Sequence, residues 1–147
     1  MRLVLTALVL LAVAGCDTTT SEERPPETET IGVTVTYRVT VSGASTKTTV
    51  SYTDAEGQMT TEPVDFNRSG SYVQTIEFEP GAMGTVSLAG RGLVSSGRIG
   101  ASIVVERTDT GDEVASVSET STTTGVSEFA SATVTLDLPV VTVTEDE

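Results

Sequence analysis

The chain has 147 residues, of which 21 are acidic and eight are basic, so its formal net charge is −13 at pH 7. An acidic surface argues against nucleic acid as a partner and against direct adsorption to anionic lipid headgroups. The sequence contains no histidine, which excludes His-dependent catalytic triads and most zinc sites. We therefore predict that the protein is not an enzyme and needs no cofactor or metal.

The N-terminal segment predicts export. Residues 3–14 form an apolar run after Arg2 that is interrupted only by Thr6. A helix of about 12 residues spans about 18 Å, which is too short for a bilayer core of about 30 Å. That length is typical of the apolar region of a signal peptide. We therefore expect residues 1–15 to be a signal peptide.

The end of this run carries a more specific pattern. Val13, Ala14, Gly15 and Cys16 resemble the lipobox of bacterial lipoproteins. The resemblance implies that the signal peptidase recognises Val13, Ala14 and Gly15, and that Cys16 becomes the lipidated N-terminus. A lipid on Cys16 also explains a lone thiol in an exported protein. We expect a membrane anchor through Cys16, on the non-cytoplasmic side of the cell envelope, either periplasmic or on the cell surface.

A polar spacer follows the anchor. Residues 16–30 contain no apolar side chain beyond Cys16 except two prolines. Such a segment cannot bury enough surface to offset the entropy of ordering, so we expect a disordered acidic tether. A flexible chain of about 14 residues has a relaxed span near 20 Å. The folded domain would therefore work close to the membrane surface.

A period-two pattern opens the folded domain. Every second residue from Ile31 to Val41 is apolar and the residues between them are polar or glycine, which predicts a strand with one buried face. Residues 42–45 then break the alternation. Further strand patterns cover residues 48–53, 59–66, 72–79, 85–89, 98–106, 113–118 and 128–138. Pro63 marks an edge strand, and residues 90–97, with three glycines, suggest strand ends and a loop.

These runs predict an all-β fold. Seven to eight strands over residues 31–140 favour a single antiparallel, immunoglobulin-like β-sandwich, with a small β-barrel as the alternative. Asp109-Thr110-Gly111-Asp112 is typical of a tight hairpin turn. Pro139 is expected to end the last clear strand. We expect residues 141–147 to form an acidic C-terminal tail.

The order of features after Tyr37 resembles a known group of envelope proteins. The matching segments are residues 37–43, residues 50–53 leading to Gly57, residues 86–89, and the strand at 99–105. They are similar to the MmpS family, small membrane-anchored sandwich proteins that accompany RND-type lipid exporters. The resemblance implies a sandwich fold and an accessory role beside a transporter.

Several residues are candidates for catalysis or metal binding, but a structural role in a turn explains each of them more simply. Asp109-Thr110-Gly111 matches the aspartic-protease triplet but lacks apolar flanks, so a polar hairpin turn fits better. Two groups of turn carboxylates could offer oxygens to calcium, but neither has an EF-hand pattern. We expect these to be solvated turn residues: Asp54, Glu56, Asp109, Asp112 and Glu113.

Two functions remain open at this point. The first is a non-catalytic interaction or accessory module for another envelope protein, such as a transporter, which strand edges could bind. The second is a binding module for a small apolar or carbohydrate ligand, with Tyr52, Tyr72 and Phe129 as the aromatic contributors. An uncovered strand edge would favour the first function, and a deep apolar pocket would favour the second.

Overall fold

The computed structural model describes residues 27–66, 69–125 and 128–144, and these form eight β-strands. No helix long and apolar enough to cross a membrane occurs in these three ranges. The strands are β1 (Thr28–Ile31), β2 (Val33–Thr53), β3 (Met59–Val64), β4 (Gly70–Phe78), β5 (Thr85–Arg107), β6 (Glu113–Thr122), β7 (Glu128–Asp137) and β8 (Val141–Thr144).

Six of the strands build one antiparallel sheet. Its main order is β3-β2-β5-β6, with β4 also paired to β2 and β7 also paired to β5. The strands β1 and β8 form a separate two-stranded sheet. The all-β prediction is confirmed, since the larger sheet curls into a half-barrel that is consistent with a sandwich or a small barrel.

The curl arises because β2 and β5 are long and bent. The first half of β2 pairs with β4 and with the second half of β5, whereas its second half pairs with β3 and with the first half of β5. The strands β6 and β7 pair with the second and first halves of β5. The sheet is therefore folded over into two layers, β4-β2-β5-β6 and β3-β2-β5-β7, as in sandwiches whose strands pass from one sheet to the other at a bend.

The bend lies where the sequence predicts interruptions. The register between β2 and β5 shifts at two places on β2, between Ser42 and Ala44 and between Thr46 and Thr49. Gly43 has a φ of 99° there, a conformation that glycine adopts without a steric penalty. The predicted break at residues 42–45 is thus a bulge in a continuous ladder, where Gly43 of β2 faces both Ser96 and Gly97 of β5. The prediction of a loop at residues 90–97 is wrong, because residues 90–95 continue the ladders of β5 and the strand runs on through Ser96 and Gly97.

The core lies between the two layers. A Cβ atom built on Gly90 in β5 would lie 2.7 Å from Val39 Cγ1 in the opposite layer, so this glycine permits close approach. The residues of β2 predicted to face inward, from Val33 to Val41, are buried, whereas Ile31 is half-buried. The largest fully buried side chains are Tyr37, Leu88, Ile99, Ile103, Val35, Val39, Val50, Val86, Val94, Val105 and Thr48. Burial of this apolar face provides the main stabilisation of the fold.

The two terminal strands meet at one end of the domain. Thr28 of β1 lies opposite Thr144 of β8, and Val141 packs against the core. This corrects two predicted boundaries: residues 28–30 belong to a strand and not to the tether, and residues 141–144 pair with them and do not form a free tail. The alternation of residues 141–144 is too short to be recognised without its partner strand.

Candidate functional site

The open side of the folded sheet is the candidate site. The strand β3 pairs with one half of β2 and β4 pairs with the other half. Within the described ranges, no further strand pairs with the outer edge of β3 or β4. The two strands therefore border an open seam between the layers, and we call this the β3–β4 seam.

Three side chains bridge the β3–β4 seam. Tyr52 Oη donates a 2.8 Å hydrogen bond to Glu62 Oε1, and Tyr72 Oη donates one of 3.2 Å to Glu62 Oε2. These residues belong to β2, β3 and β4, so the carboxylate links both layers. The ring centroids of Tyr52 and Tyr72 lie 6.3 Å apart, within the range of favourable aromatic pairs.

The tyrosine cluster continues into the core. The Tyr37 ring lies 5.6 Å from that of Tyr52, and Tyr37 Oη donates a 2.8 Å hydrogen bond to the carbonyl oxygen of Thr53. Burial raises the pKa of the Tyr37 phenol, and the Asp54 charge adds to the effect. The hydrogen bond to Glu62 raises the pKa of Tyr52, with burial as the next cause. Burial also raises the pKa of Tyr72.

These raised pKa values predict that alkaline pH destabilises the domain. In the unfolded chain tyrosine ionises near pH 10, whereas the folded phenols keep their protons above that pH. The free energy of unfolding should be constant up to about pH 9, then fall by about 1.4 kcal/mol per pH unit for each tyrosine that ionises only on unfolding. Urea unfolding at pH 8 and pH 11 measures this, with Tyr72→Phe expected to reduce the loss. Equal stability at both pH values would contradict it.

Glu62 itself should contribute to stability. In Glu62→Ala two phenols lose their acceptor, so we expect the free energy of unfolding to fall by about 1–2 kcal/mol. Urea unfolding at pH 7 gives the value. Glu113→Ala on the exposed surface of β6 is the control and should change it by less than about 0.5 kcal/mol. Equal effects of the two substitutions would show that the bridge does not stabilise the seam.

The surface of β4 is incompletely covered on its inner face and apolar at one outer position. The inward residues of the neighbouring half of β2 are fully buried, but Tyr72 and Ile76 on β4 are only partly buried. On the outer face, Val73 is 48% exposed and lies opposite Arg38, and Glu77 lies exposed near the end of the strand. A further strand along β4 would place its own side chains beside the exposed side chains on both faces.

The other open side of the sheet is partly closed by a side chain. Glu119 Oε2 on β6 accepts a hydrogen bond of 3.3 Å from the main-chain N–H of Thr133 on β7. This bond joins the two layers and occupies a donor at the edge of β7. Among the described residues, no side chain forms a hydrogen bond with the main chain of residues 70–78. At the neighbouring seam the side chains bond to one another, and Ser69 bonds to the main chain of Gly43. The edge of β4 is therefore the less protected of the two.

The sequence-predicted carboxylates serve the turns. Asp54 Oδ1 accepts a 2.7 Å hydrogen bond from the N–H of Gln58, and its Oδ2 accepts one of 3.2 Å from Thr60. Asp109 pairs with Arg107 at 2.6 Å in the exposed hairpin, and this hydrogen bond lowers the pKa of its carboxyl group. No group of three or more acidic, cysteine or histidine side chains able to hold a metal ion occurs among the described residues.

The three predicted ligand-binding aromatics are separated. Tyr52 and Tyr72 belong to the seam, whereas Phe129 is 64% exposed on β7. The Arg91 guanidinium lies 5.2 Å from the centre of the Phe129 ring, so a cation–π contact already occupies one face of this aromatic ring. A shallow depression at the bend is lined by serine, threonine, glycine and arginine residues such as Ser42, Arg98 and Thr122. None of its lining residues is one of the aromatic side chains on which the ligand-binding hypothesis depends.

The predicted lipidation site, Cys16, and the recognition residues Val13, Ala14 and Gly15 lie outside the described residues. Sequence reasoning missed Glu62, Val73 and Glu77 as members of the open side. A signal for Val73 existed, since it is the one apolar residue among the outward positions of β4, Ser71, Val73, Thr75 and Glu77.

Comparison with known proteins gives no relative for this chain. No protein-family model matches the sequence, and no curated protein or solved structure matches it. The function therefore has to be inferred from the sequence and from the geometry of the domain.

Proposed function

We propose that this protein is a lipid-anchored, non-catalytic accessory module of the cell envelope, which binds another envelope protein through the open side of its β-domain. The observation that carries the proposal is the uncovered edge of β4 beside the β3–β4 seam. Sheet edges present unpaired main-chain donors and acceptors, and extended partner segments bind to them by adding a strand.

The position of the termini supports this function. The predicted tether, with its corrected boundary, ends at residue 28, the first residue of β1, which pairs with β8. Gly32 directly follows β1. A Cβ atom on Gly32 would lie 2.9 Å from the carbonyl oxygen of Phe78, so β4 ends beside the junction of β1 and β2, one short strand away from the tether. With Cys16 in the membrane, β4 would run from the bend, at Gly70, to the membrane-proximal end of the domain, at Phe78. A partner in the same membrane could reach this edge across a relaxed tether span of about 20 Å.

The class of partner follows from the sequence. The strands resemble those of MmpS-like accessory proteins, which makes an exporter the first class of partner to examine. The alternative, a binding module for a small apolar or carbohydrate ligand, depends on the exposed Phe129. One exposed aromatic side chain offers a small platform for such a ligand.

In-cell crosslinking followed by affinity capture and mass spectrometry tests the proposal. We expect one dominant envelope protein to copurify with the lipidated protein and to disappear with Cys16→Ser. Equal recovery of all partners with and without the anchor would contradict a membrane-tethered accessory role. In that case, binding of glycans to the Phe129 surface becomes the function to test, with Phe129→Ala as its control.

A further inference from the structure

We propose that the free edge of β4 takes an extended basic segment of the partner, which adds antiparallel to Gly70–Phe78 with an apolar residue beside Val73 and a lysine or arginine beside Glu77. This rests on the proposed function and specifies its binding site and the chemistry of the bound segment.

The choice of β4 follows from how the edges are protected. Natural proteins protect sheet edges with proline, charged side chains, bulges or short strands. The strand β3 has six residues and contains Pro63, and β6 has a register irregularity against β5. The edge of β7 is covered in part by Glu119. By contrast β4 has nine residues, no proline, no lysine or arginine, and continuous pairing to β2.

The partly buried inner face of β4 indicates that an added strand would improve the core. Tyr72 and Ile76 face the core but remain partly exposed, whereas Val35 and Val39 on the adjacent strand are fully buried. A strand on the far side of β4 would cover these two side chains. Every pair in the sheet is antiparallel, so an antiparallel addition continues the existing pattern and gives the more stable ladder.

The charge of the partner segment follows from an acidic row on the outer face. Glu77 and Glu106 both lie opposite Thr34, and Glu106 lies opposite Glu113. Like charges directly opposite on adjacent strands repel, as for Glu106 and Glu113, and Glu77 adds a third carboxylate to the row beyond Thr34. The ion pair found among the described residues is Arg107 with Asp109, so Glu77 has no cation partner there. A basic residue beside Glu77 would balance this row, and an apolar residue would cover Val73, which is about half exposed.

Peptide binding to the full-length protein in detergent tests the proposal. The probe is a fluorescent nine-residue peptide of alternating valine and threonine, with lysine at the position that faces Glu77 in antiparallel register. We expect saturable binding in an anisotropy titration, and at least tenfold weaker binding for the same peptide with glutamate in place of lysine. Glu77→Lys in the protein should reverse this preference.

Matched controls separate strand addition from general attraction. Glu113 occupies the same row at the opposite edge of the layer, so Glu113→Lys should change the affinity for the lysine peptide by less than twofold. A peptide with N-methyl groups on alternate amides loses the hydrogen bonds of one edge and should bind at least tenfold more weakly. Amide chemical-shift changes should concentrate on residues 70–78.

Several results would overturn the inference. These are no binding of the lysine peptide at about 1 mM, equal effects of Glu77→Lys and Glu113→Lys, or equal binding of the N-methylated peptide. A dimer that forms without peptide and is lost in Glu77→Lys would place a second copy at this edge instead. If the partner captured from cells still binds Glu77→Lys as tightly, the accessory function stands and the β4 site fails.

Discussion

Replacing Cys16 with serine is expected to move the protein from the membrane fraction almost entirely into the soluble fraction. The lipobox-like residues predict acylation of this cysteine, and each buried CH₂ of an acyl chain contributes about 0.8 kcal/mol of membrane binding. One acyl chain is marginal, but two or three hold a protein firmly. The acidic domain offers no electrostatic attraction to anionic headgroups that could compensate for the lost lipid.

Cell fractionation followed by immunoblotting measures this shift. Ser21→Ala in the predicted tether is the control and should leave the protein in the membrane fraction. Metabolic labelling with an alkyne fatty acid should mark the unmodified protein and not Cys16→Ser. Retention of Cys16→Ser in the membrane fraction, or equal labelling of both proteins, would contradict a lipid anchor at Cys16.

Gly97→Ala is expected to be the most destabilising small substitution at the bend. A Cβ atom at this position would overlap the main-chain carbonyl oxygen of Ser42 in β2, and a backbone atom cannot move aside without opening the bend. The carbonyl oxygen of Gly97 also accepts a 2.9 Å hydrogen bond from the N–H of Thr123, which would be disturbed. We expect a loss of about 3 kcal/mol in the free energy of unfolding.

Thermal and urea unfolding of Gly97→Ala measure this loss, and the melting temperature should fall by more than about 10 °C. Gly111→Ala is the control, because Gly111 has a φ of 75° but a Cβ atom there would meet nothing within 4 Å. Its cost should be near 1 kcal/mol, from backbone strain alone. If Gly97→Ala were no more destabilising than Gly111→Ala, the result would contradict the close contact between β2 and β5 at the bend.

The fold class could be predicted from sequence because burial imposes a period of two. The alternation over residues 31–41 gives the buried face of β2, and Pro63 correctly indicates that β3 is an edge strand. The hairpin at Asp109 is also confirmed, with the N–H of Gly111 bonded to the carbonyl oxygen of Arg107. Each of these features depends on residues close together in the chain.

The features that were missed depend on residues far apart in the chain. Gly90 and Gly92 interrupt the alternation of β5, but the ladders to β2 and β7 satisfy the main chain through them. The strand β8 exists because it pairs with β1, more than 100 residues earlier in the chain. The role of Glu62 depends on Tyr52 and Tyr72, each 10 residues away on different strands. No pattern among neighbouring residues in the sequence predicts these contacts.

Site-specific photo-crosslinking in intact cells tests the central claim most directly. Thr75 on β4 and Ser116 on β6 lie in the same row of the outer face, at its two opposite edges, and both are exposed. A photoreactive residue at position 75 should give one discrete crosslinked product in the lipidated protein and none in Cys16→Ser. The same residue at position 116 should give little product. Equal crosslinking from both positions, or a product that forms equally without the anchor, would contradict a membrane-tethered module that binds its partner at the β4 edge.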